Sequence, residues 1–342
     1  MTSLAQPQLN TASEVLPGIW QLRVQLPGHR LGWLNSYLLK SEQGAILIDT
    51  PWNTDEVRTS FLELIADTGT ELAGIRLVLL THYHDDHSGC AAHLRQQGAS
   101  VAVHPADTDA MRSRLNGSAY KSILVTWLGR LGADAALSEF AFAQQDRLQE
   151  RFEFPETDIP LEDGQIIELG EWKILVLHTP GHTPGSVCFF ELHTGTLFSG
   201  DHVFPRRRSN AVHRPIGSER PLKEYWSAMA RLVELDPVRV MPGHEHQFGN
   251  FIGRVDELMA VRDHKLQEML GLVKGLVDGA TAHELAPRVR RSREWADLDD
   301  NSKLTAVGET LAYLVELESD GLLQSVGILP ERWQLRKEAV QI

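Results

Sequence analysis

The segment from His82 to His87, HYHDDH, holds three histidines and two aspartates within six residues. It follows the apolar run RLVLL, which is typical of a buried strand. His82 and His84 are two residues apart, so both imidazoles point to the same side if the extended backbone continues through them. Asp86 and His87 follow where the chain turns into a helix. This segment therefore predicts one strand end that offers two ligands to one metal ion and two to a neighbouring ion.

Three more candidate ligands follow later apolar runs, each beside Gly or Pro. They are His182 in HTPGHTPGS, Asp201 in FSGDH and His244 in MPGHEH. Taken singly, Asp201 is equally well explained as a turn residue, and His182 or His244 as a hydrogen-bonded loop histidine. A loop of unrelated solvated histidines is also the ordinary alternative for HYHDDH. Together, however, these positions supply the roughly seven His and Asp ligands that two metal ions with a shared carboxylate require.

The distribution of apolar residues predicts a layered α/β protein with two sheets, helices outside and loops along one edge. Between about residues 105 and 155, apolar residues recur every three or four positions, which indicates a helical insertion. From residue 251, two helical patterns and a short extended end suggest a winged-helix-like module. We therefore predict a catalytic domain at 1–250 and a C-terminal helical, winged-helix-like module at 251–342.

Composition restricts the partners and the compartment. Lys and Arg total 33 against 46 Asp and Glu, a formal net charge of −13, which disfavours nonspecific binding to nucleic acid. The N-terminal residues lack a basic and an apolar signal region, and no run approaches the roughly 20 apolar residues of a spanning helix. A cytoplasmic protein without a membrane segment is expected. Cys90 and Cys188 are expected to be buried, reduced thiols.

The motif HYHDDH fits the H-x-H-x-D-H signature of the metallo-β-lactamase superfamily, and TPGHTPGS, SGDH and PGH resemble its later motifs in the same order. The resemblance extends from about Ile19 to His244. It implies an αββα sandwich with the metal site at one edge. It also implies a first metal held by His82, His84 and His182, a second held by Asp86, His87 and His244, and Asp201 as the bridge between them.

The same resemblance implies hydrolysis. The redox branch of the superfamily usually has Glu at the position of His84, and the mononuclear dioxygenases lack the second set of ligands. Two Zn²⁺ ions are therefore favoured, with Mn or Fe as alternatives. A hydroxide that bridges two zinc ions forms near neutral pH because the metals lower the pKa of water to about 7. Asp86 and Asp201 are the predicted catalytic residues, which steady the nucleophile and the leaving group.

Candidate substrate residues follow Asp201 directly. Arg206, Arg207 and Arg208, with Arg214 beyond them, suit a carboxylate or phosphate of the substrate, although a solvated run of charge is as good an explanation. Phe204 stands where acyl-homoserine lactonases of the superfamily have Tyr, which disfavours that activity.

The predicted insertion carries aromatic residues that would either form a lid over the site or pack as the insertion's own core: Tyr120, Trp127, Phe140 and Phe142. Asp49, at the end of the strand AILID, is expected to orient a ligand histidine. His246 would lie at the rim of the site or in solvent. Asp85 is expected to be an exposed neighbour that binds no metal.

The sequence thus predicts a dinuclear zinc hydrolase that cleaves an ester, thioester or lactone of a small anionic acyl substrate. No nucleic acid or membrane partner is expected, and a homodimer remains open. One alternative is a phosphodiesterase or nuclease with the same metal ions. Another is a ligand-sensing regulator whose winged helix provides the output. The substrate and the loaded metal are not determined by the sequence.

Overall fold

In the computed structural model, residues 8–151 and 153–336 are described. The first sheet has seven strands that lie in chain order. The first four are antiparallel neighbours, whereas the last four run parallel, so helices must connect them. The strands are β1 (Thr11–Leu16), β2 (Ile19–Gln25), β3 (Trp33–Ser41), β4 (Gly44–Ile48), β5 (Ile75–Leu79), β6 (Ser100–Val103) and β7 (Ile159–Pro160).

The second sheet has five strands in the order β12, β11, β10, β9, β8. These are β8 (Ile166–Leu169), β9 (Trp172–His178), β10 (Val187–Glu191), β11 (Thr196–Gly200) and β12 (Arg239–Pro242). Neighbours are antiparallel except for β11 and β12, which run parallel. Every residue of β10 and β11 is buried, because one face meets the first sheet and the other meets helices.

Helices connect the parallel strands and cover the outer faces. The helices of the first half are α1 (Asp55–Asp67), α2 (Asp85–Ser88), α3 (Ala91–Gln96), α4 (Pro105–Leu115), α5 (Gly117–Leu131) and α6 (Ala135–Arg151). Those of the second half are α7 (Pro221–Leu235), α8 (Phe251–Lys274), α9 (Ala282–Leu285) and α10 (Asp300–Ser319). In the described part of the chain, none of them has the length and apolar character needed to span a membrane.

The two sheets pack face to face. Ile46 and Leu79 of the first sheet share one buried apolar cluster with Phe189, Phe198 and Met241 of the second. On the outer face of the first sheet, β2 to β6 pack against α1 and α3. The outer face of the second sheet packs against α7 and α8. The layers are therefore helix, sheet, sheet, helix, which confirms the predicted αββα sandwich.

The helices α4, α5 and α6 occupy the segment predicted as an insertion, between β6 and β7. Tyr120 and Trp127 of α5 are buried, and they belong to the same apolar cluster as α7 and α10. Phe142 packs against that cluster from α6. Phe140 lies nearer the surface, where the Arg147 guanidinium stands 6.0 Å above its ring. Among the described residues, Tyr120, Trp127 and Phe142 therefore contribute to a core shared with the rest of the chain, whereas Phe140 does not.

The C-terminal segment begins with α8, and α9 and α10 follow it. A hairpin of β13 (Leu323–Val326) and β14 (Arg332–Leu335) follows α10. Leu311 and Leu314 of α10 are fully buried in the same apolar cluster as the outer face of the second sheet. A division into domains at residue 250 stays a prediction. The shared core means that α10 is packed onto the sandwich and the insertion.

Candidate metal centre

The seven predicted ligands come from four strand ends. His82 and His84 follow β5, and Asp86 and His87 lie directly after them in the single turn of α2. His182 follows β9, Asp201 follows β11 and His244 follows β12. In the second sheet β9, β11 and β12 run in the same direction, so their carboxyl ends lie at one edge. The structure brings all seven side chains together at this edge of the sandwich.

His82, His84 and His182 form the first cluster. Nδ1 of His84 lies 2.9 Å from Nε2 of His82 and 3.1 Å from Nε2 of His182. Two nitrogen ligands at tetrahedral angles around one zinc ion would be about 3.3–3.4 Å apart, given zinc–nitrogen distances of about 2.0–2.1 Å. Burial lowers the pKa of His82 and His84 well below the ordinary value and that of His182 to about 4. The three imidazoles are therefore neutral, and their lone pairs converge.

Asp86, His87 and His244 form the second cluster. Nε2 of His244 lies 3.2 Å from Nε2 of His87 and 3.3 Å from Oδ2 of Asp86. Burial raises the pKa of Asp86, but the neighbouring His87 and His244 hold it well below its ordinary value. Conversely, burial lowers the pKa of His87, but Asp201, Asp49 and Asp86 raise it well above its ordinary value. The cluster thus favours positive charge at its centre, from a proton or a metal ion.

Asp201 lies between the two clusters. Its Oδ2 is 3.6 Å from Nε2 of His182, and its Oδ1 is 3.2 Å from Nε2 of His87. The neighbouring histidines hold the pKa of Asp201 well below its ordinary value despite burial, so the carboxylate is ionised. The buried Oδ1 accepts no hydrogen bond of normal geometry from the described residues. A buried carboxylate oxygen in this state needs another positive partner, and a bridging position between two cations would provide one.

Hydrogen bonds behind the clusters orient two of the imidazoles. Asp49 follows β4, and its Oδ2 accepts a hydrogen bond from Nδ1 of His87 at 2.7 Å. The backbone N–H and the hydroxyl of Thr81 donate to the same carboxylate at 2.8 and 2.7 Å. Nδ1 of His244 donates to the carbonyl oxygen of Trp33. In both imidazoles Nε2 consequently faces the second cluster, where its proton can give way to a metal ion. Asp49 lies where the sequence predicted, beside a candidate ligand.

The profile of the metallo-beta-lactamase superfamily matches residues 34–244. The chain belongs to this superfamily. It is 33% identical over 177 residues to the acyl-coenzyme A thioesterase MBLAC2 of Bos taurus, a match that covers 51% of this chain and 57% of that protein. It is 26% identical to the hydroxyacylglutathione hydrolase of Maricaulis maris, over 56% of this chain and 73% of that one. The chain therefore spans little more than half the length of its curated thioesterase relative.

Among solved structures, a metallo-beta-lactamase family protein of Thermus thermophilus is similar with a TM-score of 0.81. The two chains are 26% identical, and the match covers 94% of this chain and 100% of that chain. This similarity extends beyond the superfamily profile at both ends. The insertion and most of the C-terminal segment therefore have counterparts in another superfamily member.

The carboxylate of Asp107 joins the two loops that carry the first cluster. Nothing in the sequence indicated this role. Oδ2 of Asp107 accepts hydrogen bonds from the Tyr83 N–H at 2.8 Å and the Thr183 hydroxyl at 2.9 Å. Its Oδ1 accepts one from the Gly185 N–H at 2.6 Å. Burial raises the pKa of Asp107 to about 7, and these hydrogen bonds oppose the increase. In the sequence, Asp107 resembles any acidic residue in the first turn of a helix.

His29 is a second residue that the sequence did not reveal. It lies in the loop between β2 and β3, and its Nε2 is 3.4 Å from Oδ2 of Asp86. Its ring stacks on His244 with centroids 5.5 Å apart and lies edge-on to Trp52 at 5.3 Å. Nδ1 of His29 accepts a hydrogen bond from the Leu31 N–H, so Nε2 carries the proton that faces Asp86. His29 therefore contacts the second cluster from the side of the loop.

The side chains of the predicted substrate residues do not converge on one point, in contrast to those of the ligands. Phe204 is buried, and its ring centroid lies 6.3 Å from that of His244. Arg206, Arg207 and Arg208 are exposed. The structure does not bring their side chains together on one anion, because Arg207 pairs with Glu245 at 3.1 Å and Arg208 pairs with Glu309 at 3.4 Å.

The remaining predicted neighbours lie around the rim. Arg214 is adjacent to the first cluster, since its Nε donates to the carbonyl oxygen of His182 at 3.2 Å. His246 is half-buried and lies against the ring of Trp33, with centroids 5.9 Å apart. Asp85 is exposed, as the sequence predicted.

Proposed function

We propose that the chain is a metal-dependent hydrolase that holds two zinc ions and cleaves an ester, thioester or lactone of a small anionic acyl substrate. The observation that carries this proposal is the pair of His and Asp clusters joined by the two oxygens of Asp201. When bound, two zinc ions would lower the pKa of water to about 7 and polarise a carbonyl group. Manganese and iron are the alternative metals, since imidazole and carboxylate also bind them.

In this proposal the residues keep the roles that the superfamily resemblance implies. The first metal would be held by His82, His84 and His182, the second by Asp86, His87 and His244, and both by Asp201. The neutral imidazoles and ionised carboxylates described above are the protonation states that such binding needs.

Asp86 and Asp201 would also act on the attacking water. Both carboxylates are ionised because the histidines around them hold their pKa values low, so each can accept a hydrogen bond from water. In the hydrolysis of a thioester, oxygen from water forms a bond to the acyl carbon and the carbon–sulfur bond breaks. One proton of the water goes to the sulfur of the departing thiol, and the other is released to solvent as the carboxylic acid ionises.

The thioester is the bond that we favour among the three. The two relatives named above are an acyl-coenzyme A thioesterase and a hydroxyacylglutathione hydrolase, and acyl derivatives of coenzyme A and of glutathione are thioesters. Phe204 replaces the tyrosine expected of an acyl-homoserine lactonase, which weakens the lactone alternative. The pairing of Arg207 and Arg208 with glutamates leaves little support for a continuous basic groove, which a nuclease would need.

The decisive experiment compares adjacent aspartates of the HYHDDH motif. Asp86 points into the second cluster, whereas Asp85 is exposed. With zinc, manganese and iron forms of the protein, a panel of acyl thioesters, lactones, phosphodiesters and single-stranded RNA would be assayed. We expect thioester hydrolysis to fall at least a hundredfold in Asp86→Asn and to change little in Asp85→Asn. Asp201→Asn should also abolish turnover.

Elemental analysis of the same samples would count the metal ions. About two per chain in the unaltered protein, and fewer in Asp86→Asn, would agree with the proposal. Hydrolysis of RNA or phosphodiesters without thioesters would contradict the substrate class. Full turnover by Asp201→Asn would contradict the bridging role. A protein that binds acyl ligands but hydrolyses nothing in any metal form would support the regulator instead.

A further inference from the structure

A cavity lies beside the first cluster, enclosed by the insertion, residues 212–216 and α10. Its volume is about 90 Å³, and it is partly open to solvent. Two of its wall residues also contact the cluster. The Tyr83 ring meets the His84 ring edge-on with centroids 5.0 Å apart, and Arg214 donates to the carbonyl oxygen of His182. A group that extends from a substrate carbonyl at the first cluster would thus reach this cavity.

Two guanidinium groups line the cavity, Arg114 and Arg214. Arg114 lies between two aromatic rings, 5.8 Å from the centroids of both Tyr83 and Tyr120. Burial lowers the pKa of Arg114, but the two tyrosines raise it above its usual value, so the group stays charged. Arg214 forms no ion pair with any carboxylate in the described part of the chain, in contrast to Arg207 and Arg208. Both guanidinium groups line the cavity, where they can donate hydrogen bonds to an anionic ligand.

The rest of the wall is part apolar and part polar, with Gln144, Asn301 and Thr305 among its polar residues. Leu124 and Trp127 line it from α5, and Val212, Ile216 and Leu304 complete the apolar part. The indole N–H of Trp127 donates to Nδ1 of His213 at 3.0 Å, so its polar atom is already satisfied. An apolar patch beside two cations and several polar side chains fits a ligand that combines a short hydrocarbon chain with a negative charge.

We infer that this cavity is the acyl subsite of the hydrolase and that it takes a short acyl group bearing a carboxylate, such as a succinyl or glutaryl group. The hydrocarbon part of the group packs between Tyr120 and Trp127. Its carboxylate accepts hydrogen bonds from Arg114 and Arg214. The identity of the cleaved bond rests on the proposed function, whereas binding of the anion does not.

A binding experiment tests this inference without turnover. Succinate and butyrate have the same chain length and differ in one terminal carboxylate, so the second charge is the only large difference between them. Isothermal titration calorimetry on the metal-loaded protein should give succinate an affinity at least about tenfold higher, the effect of one hydrogen bond to a charged group. The ratio should fall towards one in Arg214→Gln and in Arg114→Gln. Arg214→Lys should retain part of it.

The matched control is Arg112→Gln, because Arg112 lies on the same helix as Arg114 but its side chain is 73% exposed. This variant should keep the affinity ratio of the unaltered protein. If circular dichroism shows that Arg114→Gln does not fold, the two Arg214 variants carry the test. Equal affinity for succinate and butyrate in the unaltered protein would overturn the inference.

A turnover experiment distinguishes negative charge on the acyl group of a thioester from negative charge on its leaving group. Succinyl and butyryl thioesters of N-acetylcysteamine differ only in the acyl group, whereas succinyl-coenzyme A adds phosphates to the leaving group. We expect a lower KM for the succinyl than for the butyryl thioester, and loss of that difference in Arg214→Gln. If Arg214→Gln removes only an advantage of the coenzyme A ester, the cavity binds the leaving group and the inference is wrong. If no thioester is hydrolysed, the proposed function fails, and the binding experiment still decides the subsite.

Discussion

Replacing Asp107 with Asn should weaken both the fold and the first metal site. The side chain of Asp107 is fully buried and accepts three hydrogen bonds from the loops that carry His82, His84 and His182. Asn has almost the same shape, but it has one acceptor oxygen and one NH₂ group. In the better of its two orientations, the oxygen keeps the bonds from Tyr83 and Thr183, and the NH₂ group then faces the Gly185 N–H, 2.6 Å from the former acceptor.

The expected loss of stability follows from the number of hydrogen bonds that the substitution removes. Above the Asp107 pKa of about 7, one hydrogen bond to a charged acceptor is lost and a buried donor remains without a partner, which costs about 1–3 kcal/mol. For a chain of 342 residues, each kcal/mol lowers Tm by about 1–2 °C. Because Asp107 fixes both loops of the first cluster, we also expect the affinity for the first metal to fall about 10–100-fold, as for other residues that orient ligands indirectly.

Asp109→Asn is the matched control, since Asp109 lies on the same helix and its side chain is 75% exposed. Thermal unfolding of the metal-free proteins would measure stability, and competition with a chelating dye would measure metal affinity. Identical results for Asp107→Asn and Asp109→Asn would refute the reasoning. Lower stability with unchanged metal affinity would show that Asp107 supports the fold without positioning the ligands.

Three further predictions concern one contact or one metal each. Asp49→Asn removes the carboxylate that accepts the His87 Nδ1–H, so elemental analysis after dialysis should show one zinc per chain instead of two; unchanged stoichiometry would contradict this role. Removing metal with a chelator should lower the free energy of unfolding by about 3 kcal/mol for each zinc site, relative to a zinc concentration about 100 times Kd, and a Tm independent of zinc would contradict it. Asp299→Ala removes the hydrogen bond from the Ser302 N–H at the start of α10 and should destabilise the protein by about 0.5–2 kcal/mol at pH 7 in urea unfolding. That hydrogen bond lowers the pKa of Asp299 in the folded protein. Its contribution to stability is therefore present above the ordinary pKa of 3.8 and is lost as the pH falls below that value. A stability difference between the two proteins that is as large at pH 3 as at pH 7 would contradict this.

The ligands could be predicted because the residues that identify them lie close together in short sequence motifs. HYHDDH concentrates ligand atoms within one turn, and His182, Asp201 and His244 each follow an apolar run and lie beside Gly or Pro. Such positions predict strand ends, and strands that run in the same direction end at the same edge of a sheet. The periodic pattern predicted a layered α/β protein with two sheets, and the resemblance to the superfamily implied the αββα order of the layers. None of this required knowledge of contacts between distant residues.

The other functional contacts depend on pairs that are far apart in sequence. The run Arg206 to Arg208 suggested an anion site, but Glu245 and Glu309 come from a loop 39 residues away and from a helix 101 residues away and pair with it. Asp107 looks like an ordinary residue at a helix start until Gly185, 78 residues later, is placed against it. Charge patterns within one segment cannot reveal which partners will neutralise them.

The C-terminal segment shows why a boundary in sequence pattern need not be a boundary in function. Its apolar residues recur with the spacing of a helix, whereas those of the segments before it follow the pattern of strands. This difference suggested a separate module. In the structure, α10 packs against α5 and α6 of the insertion, and Asn301, Leu304 and Thr305 line the cavity beside the first cluster. The insertion and α10 therefore have to be present together for the cavity to have walls. If the proposed acyl subsite is correct, the insertion and α10 shape it together.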